Sequence, residues 1–512
     1  MSLITRLTTA TRAAVATWRD VFQHPAEVRS VSNASRIPLY DALWSYYTNQ
    51  AFANLLAWSA YINEFHLYRH IRSIYNPVAA IVDFYADHVY AGRITPDGRP
   101  TPDGKRSGVP FTADMDQRLR LACSQVLRWS RWQDQGSVAL LYGGATGNVL
   151  IELVDDVRNS RLFFNVVWPG QVVDFRLDLT GRLEFYALEY MALDEEGELY
   201  LYRKEVNAQE IRTFRDGAPF DYDGGGAARA GYGFVAAEWI RHKNIGSDFG
   251  APAIDGDIPV IDEINSLASH LDDHLHKAMN TPFVLWTSSI PKPLFKGDVD
   301  PKDPEGGPDP RKTVTILRGD EGGSVSPLLD QIDLAGADAQ IERLTKYLET
   351  RHPEIIAYRM LREMSQVTGP AAERVLGDVT HKLDKVSSNY DAGLARLLSM
   401  AVALGGERYR RGWSERDDKR ALFAPFDLRS HLGDHLDIEI EDRDFLPLLE
   451  SELVDLQQKR VQMADQATAM TGTREALRLM KYTDQEITRI ERERAHEHSA
   501  APVSQSLFGS ES

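Results

Sequence analysis

Apolar and polar positions change their period several times along this chain. Between Leu39 and Tyr90, aromatic side chains such as Tyr40, Trp44, Tyr47, Trp58, Tyr61, Phe65 and Tyr68 recur three or four apart, the spacing of buried helix faces. Asn76-Pro77-Val78 predicts a fresh helix start, with Asn76 as N-cap and Pro77 in the first turn, and Gly92 ends that helix. Thr95-Pro-Asp-Gly98 and Thr101-Pro-Asp-Gly104 are two copies of a turn-forming tetrapeptide and predict a surface loop or hairpin tip. Asp114–Asp134 reads as one helix built on Leu119, Leu121, Val126 and Leu127.

From Val138 to Trp239 the period is two. The predicted strands are Val149–Leu153, Leu162–Val167, Val172–Leu177, Leu183–Tyr190, Leu199–Lys204 and Ile211–Phe214, with turns at Gly147, Pro169-Gly170, Gly181, Gly197 and Gly217. Together they predict a largely antiparallel β-rich lobe, and Asp221–Gly233 reads as a mobile Gly-rich loop.

A helical period then returns. Ile261, Ile264, Ala268, Leu271, Leu275 and Ala278 alternate steps of three and four, a heptad seam on a charged helix that Pro282 ends. One narrow seam suits packing against few neighbours, as in a bundle or ring. Thr281–Leu329 is broken by prolines and predicts a small β module, with strands Phe283–Thr287 and Thr313–Leu317, between that helix and a return helix Ala335–Thr350. Pro353 can start the next helix, and Ala371–Leu404 is a long one, opened by Gly369-Pro370 and closed by Gly405-Gly406. Leu436–Ile440 alternates like an edge strand, Leu446–Met470 and Thr473–Ala495 read as charged helices, and the chain after His496 as a disordered polar tail. The fold class is α+β.

Composition narrows the function. With 512 residues and 43% apolar side chains, the chain can build real cores in about three domains. Its 75 acids against 58 bases give a charge of −17, which excludes coating nucleic acid by bulk charge. The single cysteine, Cys123, excludes an intramolecular disulfide and a multi-cysteine zinc site. No apolar run reaches the ~18 residues of a membrane-spanning helix. Met1–Arg19 carries Arg6, Arg12 and Arg19 and no acid. It has features of an organelle transit peptide, but an amphipathic arm is the simpler reading, and the apolar core of a secretory signal is missing.

Candidate chemistry is sparse. Gly143-Gly144-Ala-Thr-Gly147 follows an apolar run and could cradle a phosphate, but no Lys-Ser/Thr pair follows and a hairpin turn accounts for it better. His270 and His274, with Asp273, could share a metal on one helix face, although no Glu lies between the histidines and a solvated face explains them. His431, Asp434 and His435 are similar and weaker. Arg408, Arg410, Arg411, Lys419 and Arg420 form a local basic patch that fits a phosphate or, more simply, a solvated edge. No Ser-His-Asp, GxSxG or HExxH signature is present. The chain therefore reads as a non-enzyme with no cofactor and no metal.

Four phrases in order are more telling. Tyr75-Asn-Pro-Val-Ala-Ala-Ile-Val-Asp83, then His242-Lys-Asn-Ile-Gly246 followed by Asp262-Glu-Ile-Asn265-Ser266, then Thr368-Gly369-Pro-Ala371-Ala372, then Thr473-Arg-Glu-Ala-Leu-Arg-Leu-Met480 followed by Asp484-Gln-Glu-Ile-Thr-Arg-Ile-Glu491, resemble successive parts of tailed-bacteriophage portal proteins, the head-to-tail connectors. The resemblance covers about residues 40–495 and departs at Gly369-Pro370, where a Ser-Gly pair is common in that family.

The resemblance implies a ring, usually of twelve copies, at one capsid vertex, through which double-stranded DNA is packaged and ejected. It implies the terminase large subunit, a head-tail adaptor, and the major capsid protein and scaffold as partners, with no membrane insertion. The protein would belong to the virion and, during assembly, to the host cytoplasm. The implied parts are an N-terminal arm (1–38), a wing (39–250), a first stem helix (251–280), a clip (281–325), a second stem helix (326–350), a tunnel-loop region (351–369), a wing helix and following segment (371–444), a crown (445–496) and a tail (497–512). Lys346, Arg351, Arg359 and Arg362 would face DNA, and the seam Ile261, Ile264, Ala268, Leu271, Leu275 and Ala278 would pack between subunits. Twelve copies would carry roughly −200 charges, which repels DNA and lets it slide. Two alternatives stand beside this reading: a cytosolic enzyme binding a nucleotide at Gly143–Gly147, and an oligomeric phage structural protein without a channel.

Overall fold

The computed structural model describes residues 33–51, 75–95, 108–112, 114–194, 196–221, 226–279, 283–286, 324–327, 334–362, 370–413, 417–433, 435–443 and 445. Several expected features lie outside these residues: the N-terminal basic stretch, the aromatics from Phe52 to Tyr68, most of the Thr-Pro-Asp-Gly repeats, Thr313–Leu317, the 363–369 segment, and the two C-terminal helices with their tail.

The chain begins with a 3₁₀ turn, Asn33–Arg36, that runs into α1 (Ile37–Tyr47). Asn33 and Arg36, which the sequence placed in the N-terminal arm, are buried; Asn33 donates to the carbonyls of Pro169 and Val172. α2 (Val78–Val89) follows; its N-cap position is Pro77 and not the expected Asn76, whose Oδ1 accepts from the Val78 N–H at 3.2 Å just ahead of the helix. The single helix expected over Asp114–Asp134 is in fact two. α3 (Gln117–Trp129) is capped by Asp116, which accepts from the N–H groups of Arg118 and Leu119, both at 2.9 Å. Arg131 then adopts a left-handed conformation, φ 48°, which turns the chain so that Trp132 enters the core at the start of α4 (Trp132–Thr146).

α4 also takes in Val138–Thr146, which the period-two reading assigned to the β lobe. The glycines decide this. A Cβ on Gly143 would collide with the Tyr390 hydroxyl, and one on Gly144 would press Val82 at 3.1 Å, so their bare backbones let the helix pack closely. Gly147, φ 92°, ends it, its N–H bonded to Gly143 O at 2.7 Å.

The β lobe matches its predicted strands to within a few residues, and every pairing is antiparallel. It comprises β1 (Asn148–Asp156), β2 (Arg161–Val167), β3 (Val172–Leu177), β4 (Leu183–Leu193), β5 (Leu199–Asn207), β6 (Glu210–Arg215), β7 (Ala218–Pro219), β8 (Ala228–Ala230) and β9 (Ala237–Arg241). One sheet has the order β2-β1-β9; the other runs β3-β4-β5-β6-β7, with β8 paired to β6. β8 lies in the segment expected to be a loop, and Glu210 pairs with Ala230 there. β1 is buried on both faces: Val149, Ile151 and Leu153 enter the main core, while Leu150 joins a second cluster with Tyr186, Leu188, Trp239 and Phe249.

The second half is mainly helical: α5 (Ile258–Met279), the pair β10 (Phe283–Trp286) and β11 (Ser324–Pro327), α6 (Leu334–Arg351), α7 (Pro353–Arg362), α8 (Pro370–Arg411), α9 (Asp418–Ala421) and α10 (Leu428–Leu432). The partner of β10 is Ser324–Pro327, a strand the period does not mark. α8, at 42 residues, is the spine of the core, burying Leu383, Tyr390, Leu394, Leu397 and Ala401 completely. Gly405-Gly406 do not close it. They lie inside it, where a Cβ on Gly405 would strike the Phe423 ring at 2.5 Å and one on Gly406 the Phe426 carbonyl, so they serve close packing and not termination. Leu436–Ile440 is not a strand; Ile440 makes only an isolated bridge with Phe111.

Candidate functional site

α5 and α6 form an antiparallel pair. The residue before α5, Asp257, meets the last residue of α6, Arg351, while β10 and β11 pair at the far ends of the two helices. Near its start α5 is anchored to the N-terminal helices. Tyr46 OH donates to both oxygens of Asp262 at 3.0 and 2.8 Å, and Asn265 exchanges two hydrogen bonds with the backbone of Tyr75 at 2.7 and 3.0 Å.

Where this pair joins the body there is a polar hub. Asp257 is fully buried, and both its oxygens are used: Oδ1 accepts from Arg351 Nη1 at 2.5 Å and Oδ2 from His352 Nε2 at 2.7 Å. His352 is the break between α6 and α7, made by Pro353, whose ring disfavours helical geometry in the residue before it. Two residues on, buried Glu354 accepts from the Tyr85 hydroxyl of α2 and from Lys382 Nζ of α8 at 3.0 and 3.1 Å. Lys382 also donates to the Arg351 carbonyl at 2.7 Å, one of the carbonyls left open at the end of α6. From the loop after β9, Lys243 donates to Ala253 O at 2.7 Å, and burial holds its pKa down at about 8. Burial likewise raises Asp255, opposed by the charges of Lys243 and Arg351. Beside the hub, His242 is buried against Tyr390 OH at 3.2 Å, and burial keeps it neutral down to about pH 3.

This arrangement suits a joint. Asp257 and Glu354 are engaged with cations and donors from α2, α6, α8 and the α6–α7 break, and among the described residues no group of three or more His, Cys, Asp and Glu could hold a metal ion. Nothing in the local sequence marks it. Asp257 and His352 are 95 positions apart.

Arg351 joins the hub. Lys346 is exposed on α6 and pairs with Glu342 at 2.7 Å, and Arg359 on α7 pairs with Glu349 at 2.9 Å. Arg362 is the last residue of α7, and its side chain lies outside the described residues. In the seam, Ile261 and Ile264 are buried in this chain's own core, Ala268 and Leu271 are half-buried, and the side chains of Leu275 and Ala278 lie outside the described residues.

His270 is exposed on α5; the side chains of Asp273 and His274 are not among those described. His431 shares a 2.9 Å hydrogen bond with Ser399 Oγ. The four arginines of the basic patch are taken up by ion pairs, while Lys419 is exposed. Arg408 binds Asp155 at 2.6 Å, Arg410 and Arg411 bind Glu407 at 3.2 and 2.9 Å, and buried Arg420 binds Asp417 at 3.1 Å and the Ser160 carbonyl at 2.7 Å. The Gly143–Gly147 segment is no phosphate cradle. Gly143 and Gly144 are buried in a helix with Tyr390, Val82 and His242 filling the space beside them. That removes the basis of the nucleotide-binding alternative.

No helix among the described residues is long and apolar enough to cross a membrane. No protein-family model and no curated protein matches the chain. Among solved structures it is similar to a chain in the neck of an empty GTA particle computed with C6 symmetry, at 14% identity, over 68% of this chain and 90% of that one, with a TM-score of 0.33. It is also similar to a chain in the neck of a native GTA particle computed with C12 symmetry, at 14% identity, over 68% and 89% of the two chains, with a TM-score of 0.30. By its own structure the chain is an α+β protein with antiparallel sheets.

Proposed function

We propose that this protein is a portal protein: it assembles into a ring at one capsid vertex through which double-stranded DNA enters and leaves, and on which the terminase large subunit and then a head-tail adaptor dock. The observation that carries this reading is the α5–α6 pair, antiparallel, closed by the β10–β11 pair at one end and fastened to the body by the Asp257 hub at the other. A stem with a clip at its tip needs such a rod. In this reading β11 extends the clip to Pro327, a little past the boundary at 325.

The net charge of −17 per chain supports sliding DNA, because a ring that is acidic as a whole repels the duplex and makes few lasting phosphate contacts. The exposed face of α6, with Arg343, Lys346 and Tyr347, is the face proposed for the channel. Lys346 and Arg359 would meet DNA only after exchanging their present acidic partners, which favours brief contacts. The seam beyond Ile264 is proposed to pack on neighbouring subunits. Negative-stain imaging of the purified protein tests the reading: an annulus with a central hole is expected, and a stable monomer or a holeless assembly would refute it.

A further inference from the structure

The larger sheet ends in two tips of different chemistry. β4 runs eleven residues, about 36 Å at 3.3 Å per residue, from the β3–β4 turn to the β4–β5 turn. At the β4–β5 end, Leu193 pairs with Leu199 across the hairpin. Met191, Leu193 and Leu199 are 57, 66 and 65% exposed and lie on one face, since side chains two apart on a strand, or directly opposite on its partner, point the same way. The connecting turn carries Glu196 and Glu198, both exposed, with their backbone N–H groups fixed to Asp194 Oδ1 at 3.1 and 2.8 Å. Asp194 is itself paired with Arg215 at 2.6 Å, so the outward charge of the tip is carried by the glutamates. Exposed apolar side chains grouped in this way are the kind of surface that partners cover.

Near the opposite end of β4 there is a cleft of about 540 Å³. Phe185, Phe234 and the 57% exposed Leu432 give it apolar walls, and Arg176 and Arg182 stand exposed at its rim. Neither arginine makes an ion pair among the described residues, and Arg176 lies over the Phe185 ring at 5.0 Å. Of the acids lining it, Asp178 is engaged in its own turn, accepting from the Thr180 and Arg182 N–H groups at 2.7 and 2.9 Å, and Glu238 is held by Arg396, so exposed Glu184 is the one acid set against the two arginines. The tip and the cleft are therefore matched in polarity and charge yet sit at opposite ends of one sheet, too far apart to meet within one chain.

We propose that the β4–β5 tip of one copy inserts Leu193 and Leu199 into the cleft of the next copy, with Glu196 and Glu198 meeting Arg176 and Arg182. Such a contact is head-to-tail, and head-to-tail contacts generate rings when the rotation closes. The inference rests on the ring reading and names one surface that builds the ring.

A charge-swap experiment on the full chain tests it. E196R/E198R carries a basic tip and a basic cleft, and R176E/R182E an acidic tip and an acidic cleft. Each variant alone is expected to need at least about tenfold more protein for half-assembly on size-exclusion chromatography. Mixing the two is expected to restore rings, because each tip then faces a cleft of opposite charge. All four positions are exposed, so circular dichroism and melting should match wild type. If wild type forms rings and either variant assembles equally well, the contact is refuted while the ring reading stands. If neither variant assembles and mixing restores nothing, the pairing is also refuted. A wild-type protein that forms no ring overturns the ring reading itself.

Discussion

Replacing Asp257 by Ala should be among the most damaging single changes available in the described core, although no catalysis depends on it. The side chain is fully buried and accepts two charge-assisted hydrogen bonds. The one from Arg351 is worth little, at most about 1 kcal/mol, because the guanidinium side chain is 45% exposed and water can replace its partner. The one from His352, whose side chain is 5% exposed, is worth about 1.5–3 kcal/mol. Its loss strands a buried ring whose other nitrogen already lacks a partner within the protein. The total is about 3 kcal/mol, at the lower edge of the ~3–5 kcal/mol typical of breaking a buried pair from one side. Urea unfolding at neutral pH measures it, and the midpoint should fall with an unchanged slope. Arg351→Ala should cost no more than about 1 kcal/mol. In a double-mutant cycle Asp257 should couple to His352 more strongly than to Arg351. An Asp257→Ala protein within about 0.5 kcal/mol of wild type, or stronger coupling to Arg351 than to His352, would refute this account of the joint.

His242 makes stability pH-dependent in a definite direction. Burial holds its folded pKa at about 3 against 6.5 unfolded, so the unfolded chain binds the extra proton between those values and stability falls as pH drops through that window. Glu238, raised to about 7 by burial, acts oppositely from 7 down to about 4.5, so the effect is read as a difference from His242→Gln. Wild type should lose about 1.5 kcal/mol relative to the variant between pH 6.5 and 5, and parallel curves would exclude it. Gly143→Ala should destabilise by at least about 1–3 kcal/mol, because its Cβ meets the Tyr390 hydroxyl. Gly377→Ala, on the same kind of element with nothing within 4 Å, should stabilise by about 0.5–1 kcal/mol, and thermal melting distinguishes the two. Leu271→Asp, on the half-buried part of the seam, should block ring assembly on size-exclusion chromatography; intact rings would argue against subunit packing there.

Much of this fold is written locally. The β lobe was legible because a half-buried strand must alternate, and Gly181, Gly197 and Gly217 take the positive φ their turns demand. The return helix expected over Ala335–Thr350 runs Leu334–Arg351, since the prolines that bracket it act over neighbouring residues. What the sequence left open was whatever depends on a partner distant along the chain. Gly143-Gly144 and Gly405-Gly406 carry the same local signal as turn glycines, yet they sit inside helices because Tyr390, Val82, Phe423 and Phe426 fill the space a side chain would need. The hub joins Asp257 to His352, and Tyr85 and Lys382 to Glu354, across 95, 269 and 28 positions. Periodicity records which face of an element is covered, whereas which buried charges meet is settled only when packing removes water and leaves each charge the partner in reach.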